Sequence, residues 1–359
     1  MWPYWLFFIV TARFAIKQRG IVTAMSSVSR RWDIRWRSMF VLLSLFIGFR
    51  FEVGCDWRQY GFMVENAATQ TWLDIVRSSE PAYGLLNWLA SQWGDTYLVN
   101  LVCAVLFSWG LISFCKIQPR PWIALVVAVP YLIIVVAMGY TRQGVAIGIV
   151  MLALVELQCG RLPRFVGYIA FAALFHKSAV IVVPLAMFAK SRHRWLTITG
   201  VLLSTGLLYV LLLKESVEIL KISYIEAEYA SAGAVIRIAM NALPAAIFLI
   251  YRRRFVLMTR EQRSFWTWMS LGGLSFVVLL AISPSSTAVD RVALYWIPLQ
   301  LVVWSHVPDS LGRPLQRNIK WVVAVTGYSA MVLFVWLMFA DHSHAWLPYR
   351  FYPWEAMWQ

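Results

Sequence analysis

The chain has 359 residues, of which 60% are apolar and only 14% charged, and it carries a formal net charge of +15. A soluble domain holds about half apolar and about 25% charged residues, so this chain needs lipid as its solvent; ordinary soluble, disordered and collagen-like classes are excluded. The surplus of Lys and Arg must then be tested as a topology signal before it is read as a nucleic-acid surface.

Charged punctuation divides the chain into apolar runs near 1–16, 38–52, 96–115, 122–138, 143–158, 165–175, 178–189, 195–213, 235–250, 264–282, 292–306 and 321–340. These twelve runs predict an all-α polytopic integral membrane protein forming one transmembrane domain over residues 1–359. The first run has no basic stretch before it and no small-residue cleavage site after it, and reads as a retained anchor. A perpendicular span takes about 17 to 25 residues. Runs 165–175 and 178–189 fall short of that, so ten full spans are expected, plus a pair that either crosses twice or forms a re-entrant hairpin broken at Phe175-His176-Lys177-Ser178.

Both versions of that pair add an even number of crossings, so the sidedness of the other loops is the same. Alternation puts 13–37, 116–120, 159–164, 190–194, 252–263 and 307–320 on one side, with 22 of the 32 Lys and Arg; 13 of the 17 Asp and Glu lie on the other. By the positive-inside rule the basic side is cytoplasmic, both termini lie outside, and Arg252-Arg253-Arg254 is a stop signal; no nucleic-acid partner is expected. Two outward stretches are too long for turns. Residues 53–95 have apolar positions at roughly helical spacing, which suits helices lying along the outer leaflet, and 214–234 reads as a second outer element.

The working face is therefore expected outside, where several cations sit at helix ends: Arg50, Arg142, Lys177, Arg237 and Arg291, with Arg58, Arg77 and Arg350 in loops. An Arg in the bilayer is costly and either pairs, lines a wet cavity or snorkels to the interface. Guanidinium groups hold phosphate oxygens through two parallel hydrogen bonds and keep their charge, which suits a binder of lipid pyrophosphate. Around them lie Asp56, Tyr60, Glu80, Tyr83, Gln143, His176, Ser178, Asp290 and Tyr295. His176 interrupts an apolar stretch, where irregular polar backbone is tolerated only against protein or water; it is either a core histidine or a functional one. Asp56 is either a helix cap or a site carboxylate sharing a helix face with Tyr60. Gly54 offers a tight reversal before it, and Asp290 and Arg291 could pair with each other.

His193 and His306 fall at cytoplasmic ends, and His342 and His344 in a solvated tail. Cys55, Cys103, Cys115 and Cys159 lack metal-type spacing. No Walker loop, GxSxG elbow, HExxH or EF-hand pattern is present, so nucleotide hydrolysis, serine hydrolysis and zinc proteolysis have no sequence support.

The stretch Phe49-Arg50-Phe51-Glu52-Val53-Gly54-Cys55-Asp56-Trp57-Arg58-Gln59-Tyr60 resembles the opening signature of the EpsG family of bacterial polysaccharide polymerases. Four more stretches follow in the family's order: Glu80-Pro81-Ala82-Tyr83-Gly84-Leu85-Leu86, Thr141-Arg142-Gln143-Gly144, Phe175-His176-Lys177-Ser178-Ala179, and Asp290-Arg291 through Tyr295, with an aromatic Pro348-Tyr349 tail. Cys55 and Ala82 depart from the pattern without removing a charge.

The resemblance implies a Wzy-like polymerase of GT-C-like architecture in the bacterial cytoplasmic (inner) membrane. Such an enzyme joins undecaprenyl-pyrophosphate-linked oligosaccharide repeats on the outer face, for O-antigen, capsule or exopolysaccharide. The leaving group already bears its phosphates, so neither ATP nor another cofactor is expected, and cations can stand in for a metal. Arg142 and Arg291, with Arg50 third, are expected to hold the pyrophosphate. Asp56, Glu80 and His176 are the candidate bases, with Asp56 and His176 favoured, and Tyr60, Tyr83, Gln143 and Tyr295 are candidate sugar contacts. Partners would be the lipid-linked glycan, membrane lipid, and a chain-length regulator or export machinery. The rival readings are a lipid-linked-glycan flippase, which predicts paired repeats and access from both sides, a membrane O-acyltransferase, which needs a cytoplasmic acyl-donor site, and a non-catalytic scaffold, which leaves the outward Arg cluster without a role.

Overall fold

A computed structural model describes residues 1–18, 21, 32–93, 96–188, 194–208, 233–355 and 357. The outer element expected at 214–234 lies almost wholly outside the described residues, as does His193. Every one of the twelve apolar runs has a helical counterpart, and no strand is formed among the described residues beyond an isolated bridge between Arg50 and Phe351.

In chain order the helices are α1 (Trp2–Lys17), α2 (Ile34–Gly48), α3 (Trp57–Ala67), α4 (Trp72–Arg77), α5 (Pro81–Ser91), α6 (Thr96–Lys116) and α7 (Pro121–Ala128), which widens into a π-helical stretch at Val129–Ala137. Then come α8 (Thr141–Gln158), α9 (Leu162–Phe175), a 3-10 stretch (Lys177–Phe188), α10 (Arg194–Leu208), α11 (Ala234–Tyr251), α12 (Arg260–Ile282), α13 (Ser286–Ala293), a 3-10 turn (Leu294–Trp296), α14 (Ile297–Leu311), α15 (Ile319–Phe339) and α16 (Tyr352–Glu355). Among the described residues five are long and apolar enough to cross a membrane: α6, α8, α11 with its 3-10 extension to Arg254, α12 and α15.

Local chemistry sets the helix starts. The Asp33 carboxylate accepts from the Trp36 N–H at 3.0 Å, Thr71 and Thr259 each close a capping box with the residue three places on, and Pro opens α1, α5, α7, α9 and α14; each measure satisfies or removes donors a helix start leaves unpaired. The inner helices α7 and α8 are apolar almost all round and correspondingly buried, whereas α11, α12 and α15 keep exposed faces bearing Val235, Ile236, Val278, Met331 and Phe339, as lipid-facing helices must.

Helix α8 is pressed against α6 at its glycines. A side chain on Gly110 would overlap the Gly148 backbone, and one on Gly148 would come within 2.6 Å of Phe107 Cα; small residues allow this close approach where lipid offers no hydrophobic drive for helix association. The chain tail then ties the site end together. Tyr4 donates to the Trp346 carbonyl at 2.7 Å, Tyr349 to the Phe46 carbonyl at 2.8 Å, and the Phe51 N–H to the Arg350 carbonyl at 3.0 Å. The tail histidine His344 is exposed, with its Nδ1 2.9 Å from the Asp341 carbonyl oxygen.

The two ends of the bundle are distinct. At the basic end Arg120 clamps Asp309 at 2.7 and 3.0 Å and caps the Arg317 carbonyl, and His306 is buried nearby with its Nδ1 2.7 Å from the Val302 carbonyl oxygen. All five sequence stretches described above lie at the opposite end.

Candidate functional site

Gly54, at φ +106°, turns the chain sharply against the backbone of Met138 and Gly139, a conformation that glycine adopts at least cost. The turn delivers Asp56 to the start of α3. Asp56 sits at the cap position, yet its side chain makes no capping hydrogen bond, which removes the plain capping role. It is half-buried; desolvation raises its pKa above the usual carboxylate value, with Arg291 and Arg142 pulling the other way. Asp56 therefore lies within electrostatic reach of the site's two arginines, with its proton more readily kept than on a surface carboxylate.

On the other wall, Glu80 ends the loop before α5 and is buried, at 8% side-chain exposure. One carboxylate oxygen, Oε1, lies 2.6 Å from His176 Nδ1, and the other, Oε2, accepts from Arg142 Nη1 at 2.8 Å. Burial alone would raise the Glu80 pKa; the His176 hydrogen bond and charge, with Arg142 behind them, outweigh it and hold the carboxyl below its ordinary range. An ionised Glu80 fixes the His176 proton on Nδ1 and leaves Nε2 with a lone pair. His176 itself follows the last residue of α9 in an extended conformation, φ −155° and ψ 107°, so the break in the apolar run is what points the ring out of the helix toward Glu80.

Arg142 opens α8, is 32% exposed, and passes 5.9 Å from the Tyr83 ring centroid. Its Nε–H is buried with no hydrogen-bond partner, as are the Tyr83 hydroxyl and the Gln143 side-chain oxygen. Each of these three atoms has hydrogen-bonding capacity that a polar ligand could take up. Gln143 spends its amide nitrogen on the Arg291 carbonyl, 2.7 Å away, and so ties α8 to α13. The Arg291 guanidinium lies 4.0 Å from the Tyr140 ring centroid, and among the described residues no ion pair or hydrogen bond of that side chain is found. Asp290 does not pair with Arg291 as its position allowed; it takes Arg237 in a bidentate pair at 2.7 and 2.8 Å. In a helix, successive side chains point about 100° apart, so neighbours in sequence are poor partners.

Arg50 is brought to the site as a support. It is 1% exposed and donates to the Ile47 and Val53 carbonyls, to Asn100 Oδ1 at 3.0 Å and to Thr141 Oγ1 at 2.8 Å. Four of its five N–H groups are thereby engaged by the protein, and its bond to Thr141 sets the start of α8 beside Arg142. The expected sugar contacts Tyr60, Tyr83, Gln143 and Tyr295 are likewise wall residues, at 1% to 4% exposure; Tyr60 and Tyr83 pack edge to face and the Tyr295 hydroxyl is 2.9 Å from Ser178 Oγ. What they present to the site is hydroxyl and amide groups, not open ring faces.

Sequence reasoning missed Tyr140 and Asn100 and gave Thr141 no role beyond its place in the Thr141-Arg142-Gln143-Gly144 stretch; their roles depend on partners 151, 50 and 91 positions away. It also missed the aromatic group of Trp57, Tyr97 and Tyr352, with Tyr97 and Tyr352 stacked at 3.7 Å. Among the described residues no group of three or more His, Cys, Asp or Glu gathers in a way that could hold a metal ion.

The model of the EpsG family matches residues 34–351. This chain belongs to the EpsG family. The match runs from α2 into the tail that closes the site, and membership suggests an exopolysaccharide-related polymerase. No curated protein and no solved structure matches the chain.

Proposed function

We propose that this EpsG-family protein is a glycosyltransferase that polymerises undecaprenyl-pyrophosphate-linked oligosaccharide repeats at the outer face of the bacterial cytoplasmic membrane. The observation that carries the reading is the Glu80 carboxylate shared between His176 Nδ1 and Arg142, with a second arginine, Arg291, that makes no salt bridge among the described residues and whose charge acts on Asp56. A base and anion-binding cations stand side by side, the pair of functions that this transfer needs.

In the reaction a sugar hydroxyl of the acceptor attacks the anomeric carbon of the donor. The bond from that carbon to the pyrophosphate oxygen breaks, and the hydroxyl proton passes to His176 Nε2. Glu80 is the positioning residue that holds the imidazole in the required tautomer, as a buried carboxylate does in hydrolase triads. Arg142 and Arg291 take the charge growing on the departing pyrophosphate, Arg142 through its unpartnered Nε–H. Asp56, within electrostatic reach of both, hydrogen-bonds the sugar or serves as a second acid–base group. Arg50 keeps α8 in register. Tyr60, Tyr83, Gln143 and Tyr295 offer polar atoms to the sugars.

The positive-inside bias supports an outward site and outward termini, and with them ten spans plus the broken pair around His176. The GT-C-like architecture belongs to the same proposal, as do a chain-length regulator or export machinery as partners. The test is the length ladder of exported glycan from a strain lacking the gene, complemented with wild type, His176→Asn or Arg291→Ala. Loss of long polymer with single capped repeats still exported supports a polymerase. Lipid-linked repeats trapped on the cytoplasmic face would make the protein a flippase.

A further inference from the structure

Between α11 and α15 the bundle is open to the side. A cavity of about 600 Å³ lies there, walled by Ile236, Met240 and Leu243 on one side and by Met331, Val335 and Phe339 on the other, within the size range of small-molecule sites. It begins at the site end, beside Gly233, Arg237, Asp341 and His342. It ends near Tyr328, eleven residues and so about 16 Å down α15 from Phe339, roughly half the thickness of a bilayer core. The groove thus belongs to one leaflet.

Two features distinguish it from a face merely bathed in lipid. First, its wall holds two hydrogen-bond donors without partners: the Tyr131 hydroxyl, on a residue only 5% exposed, and the Trp336 indole N–H. Their rings meet edge to face with centroids 6.2 Å apart, so both donors come from the same stretch of wall. Hydrocarbon cannot satisfy a buried donor. Second, the charged head of the groove runs into the site, since Arg237 binds Asp290, the next residue is Arg291, and Arg291 covers Tyr140. An occupant that suits both features is apolar along its length and carries hydrogen-bond acceptors at its outer end.

We propose that the groove between α11 and α15 seats the isoprenoid chain of a polyprenyl pyrophosphate, with Tyr131 and Trp336 donating to its phosphate oxygens and Arg291 receiving the head group in the site. The choice of an isoprenoid over a glycerophospholipid rests on the polymerase reading. The groove guides the carrier laterally from the outer leaflet, so a large glycan can reach the site without its lipid leaving the membrane.

The test uses the full-length protein in detergent with a photoreactive benzoylphenylalanine at Ala239 or Met331, on opposite walls, or at the exposed Leu271 of α12 as a control. The probe is radiolabelled undecaprenyl pyrophosphate, with unlabelled undecaprenyl pyrophosphate, undecaprenol or phosphatidylglycerol as competitors. Labelling at both groove positions and not at Leu271, displaced at least tenfold better by undecaprenyl pyrophosphate than by phosphatidylglycerol, is the expected result. Equal labelling at Leu271, or equal competition by phosphatidylglycerol, overturns the proposal and makes the groove a bed of bulk lipid. Tyr131→Phe should weaken competition by the pyrophosphate about tenfold, as loss of a hydrogen bond to a charged group does, and leave undecaprenol unchanged; an equal effect on both refutes the head-group contact. Repeating the labelling in the His176→Asn protein separates the two readings. Selective labelling there upholds the groove even where the glycan ladder denies polymerisation, and a polymerase that labels nowhere selectively loses the groove alone.

Discussion

Replacing Glu80 by Gln preserves the shape of the side chain and removes one acceptor. The two carboxylate oxygens face His176 Nδ1 at 2.6 Å and Arg142 Nη1 at 2.8 Å. Arg142 can only donate, so the amide oxygen of the substituted side chain must turn to it, and the amide nitrogen then faces His176 Nδ1. That contact is satisfied only when Nδ1 is the unprotonated nitrogen, which moves the proton to Nε2 and abolishes the lone pair that accepts the sugar proton. In serine proteases the equivalent loss of a carboxylate through the wrong tautomer costs about 10⁴ in turnover. A fall of about 10³ to 10⁴ in polymerisation is therefore expected for E80Q, measured as single-turnover transfer between purified lipid-linked repeats, with the protein still present in membranes at normal amount.

The pH dependence carries the same argument. The folded-state pKa of Glu80 is depressed below its ordinary value of 4.5, so its stabilising contribution is present above about that pH and is lost as pH falls through the depressed value. Wild-type protein should lose stability in that acid window and E80Q should lack that component. E80Q retaining activity within tenfold of wild type would refute the tautomer argument.

Four further outcomes follow from the geometry. Arg142→Ala and Arg291→Ala should each abolish long polymer on a glycan gel at unchanged membrane abundance, and Lys should rescue only partly because a point charge does not reproduce the planar fork; normal polymer in both Ala variants contradicts the assignment. Arg50→Met should instead lower abundance and thermal stability in detergent, at about 1 to 3 kcal/mol for each acceptor left dry among the carbonyls, Asn100 and Thr141, and an unchanged melting temperature would deny the supporting role. Gly110→Ala should cost about 1 to 3 kcal/mol by overpacking α6 on α8, read as a lower melting temperature together with reduced transfer, since α8 carries Arg142. Asp56 has a raised pKa, so its stabilising contribution is present below the ordinary Asp range and lost as pH rises through the folded value; Asp56→Asn should leave melting at neutral pH unchanged or higher while slowing transfer, and a clear loss of stability at neutral pH counts against it.

The helices were legible in the sequence because their cause is local. Apolar runs bounded by charge have one low-cost structure in lipid, and the caps at Asp33, Thr71 and Thr259 and the opening prolines are short-range signals. Position at one end was legible too, since alternation alone carries Glu80, Arg142, His176 and Arg291 to the same end. Role was not. Arg50 and Arg291 have the same chemistry and look alike as helix-end cations. Burial among Ile47, Val53, Asn100 and Thr141 makes one a clamp, while a lone tyrosine face leaves the other available for a ligand. Glu80 and Asp56 likewise look equivalent, but burial prevails at Asp56 while the His176 and Arg142 contacts prevail at Glu80, so the two shift in opposite directions.

That division has a physical reason. An arginine with four of its five N–H groups taken by protein has little left to give a ligand, and its value lies in holding backbone that would otherwise drift. An arginine held in no salt bridge keeps more of its field for an anion, at the cost of an incompletely compensated charge near the membrane. The signature stretch from Phe49 to Tyr60 supplies the first kind in Arg50, and the Asp290-Arg291 stretch the second. Glu80 and Arg142 lie between these extremes, paired with each other, the carboxylate buried and the guanidinium about one-third exposed. On the proposed mechanism the incoming pyrophosphate supplies the missing negative charge between Arg142 and Arg291, so the site is electrostatically complete only with substrate bound. An isolated sugar without its lipid pyrophosphate would leave those arginines uncompensated and should bind poorly, which makes the leaving group itself the principal handle by which the donor is recognised.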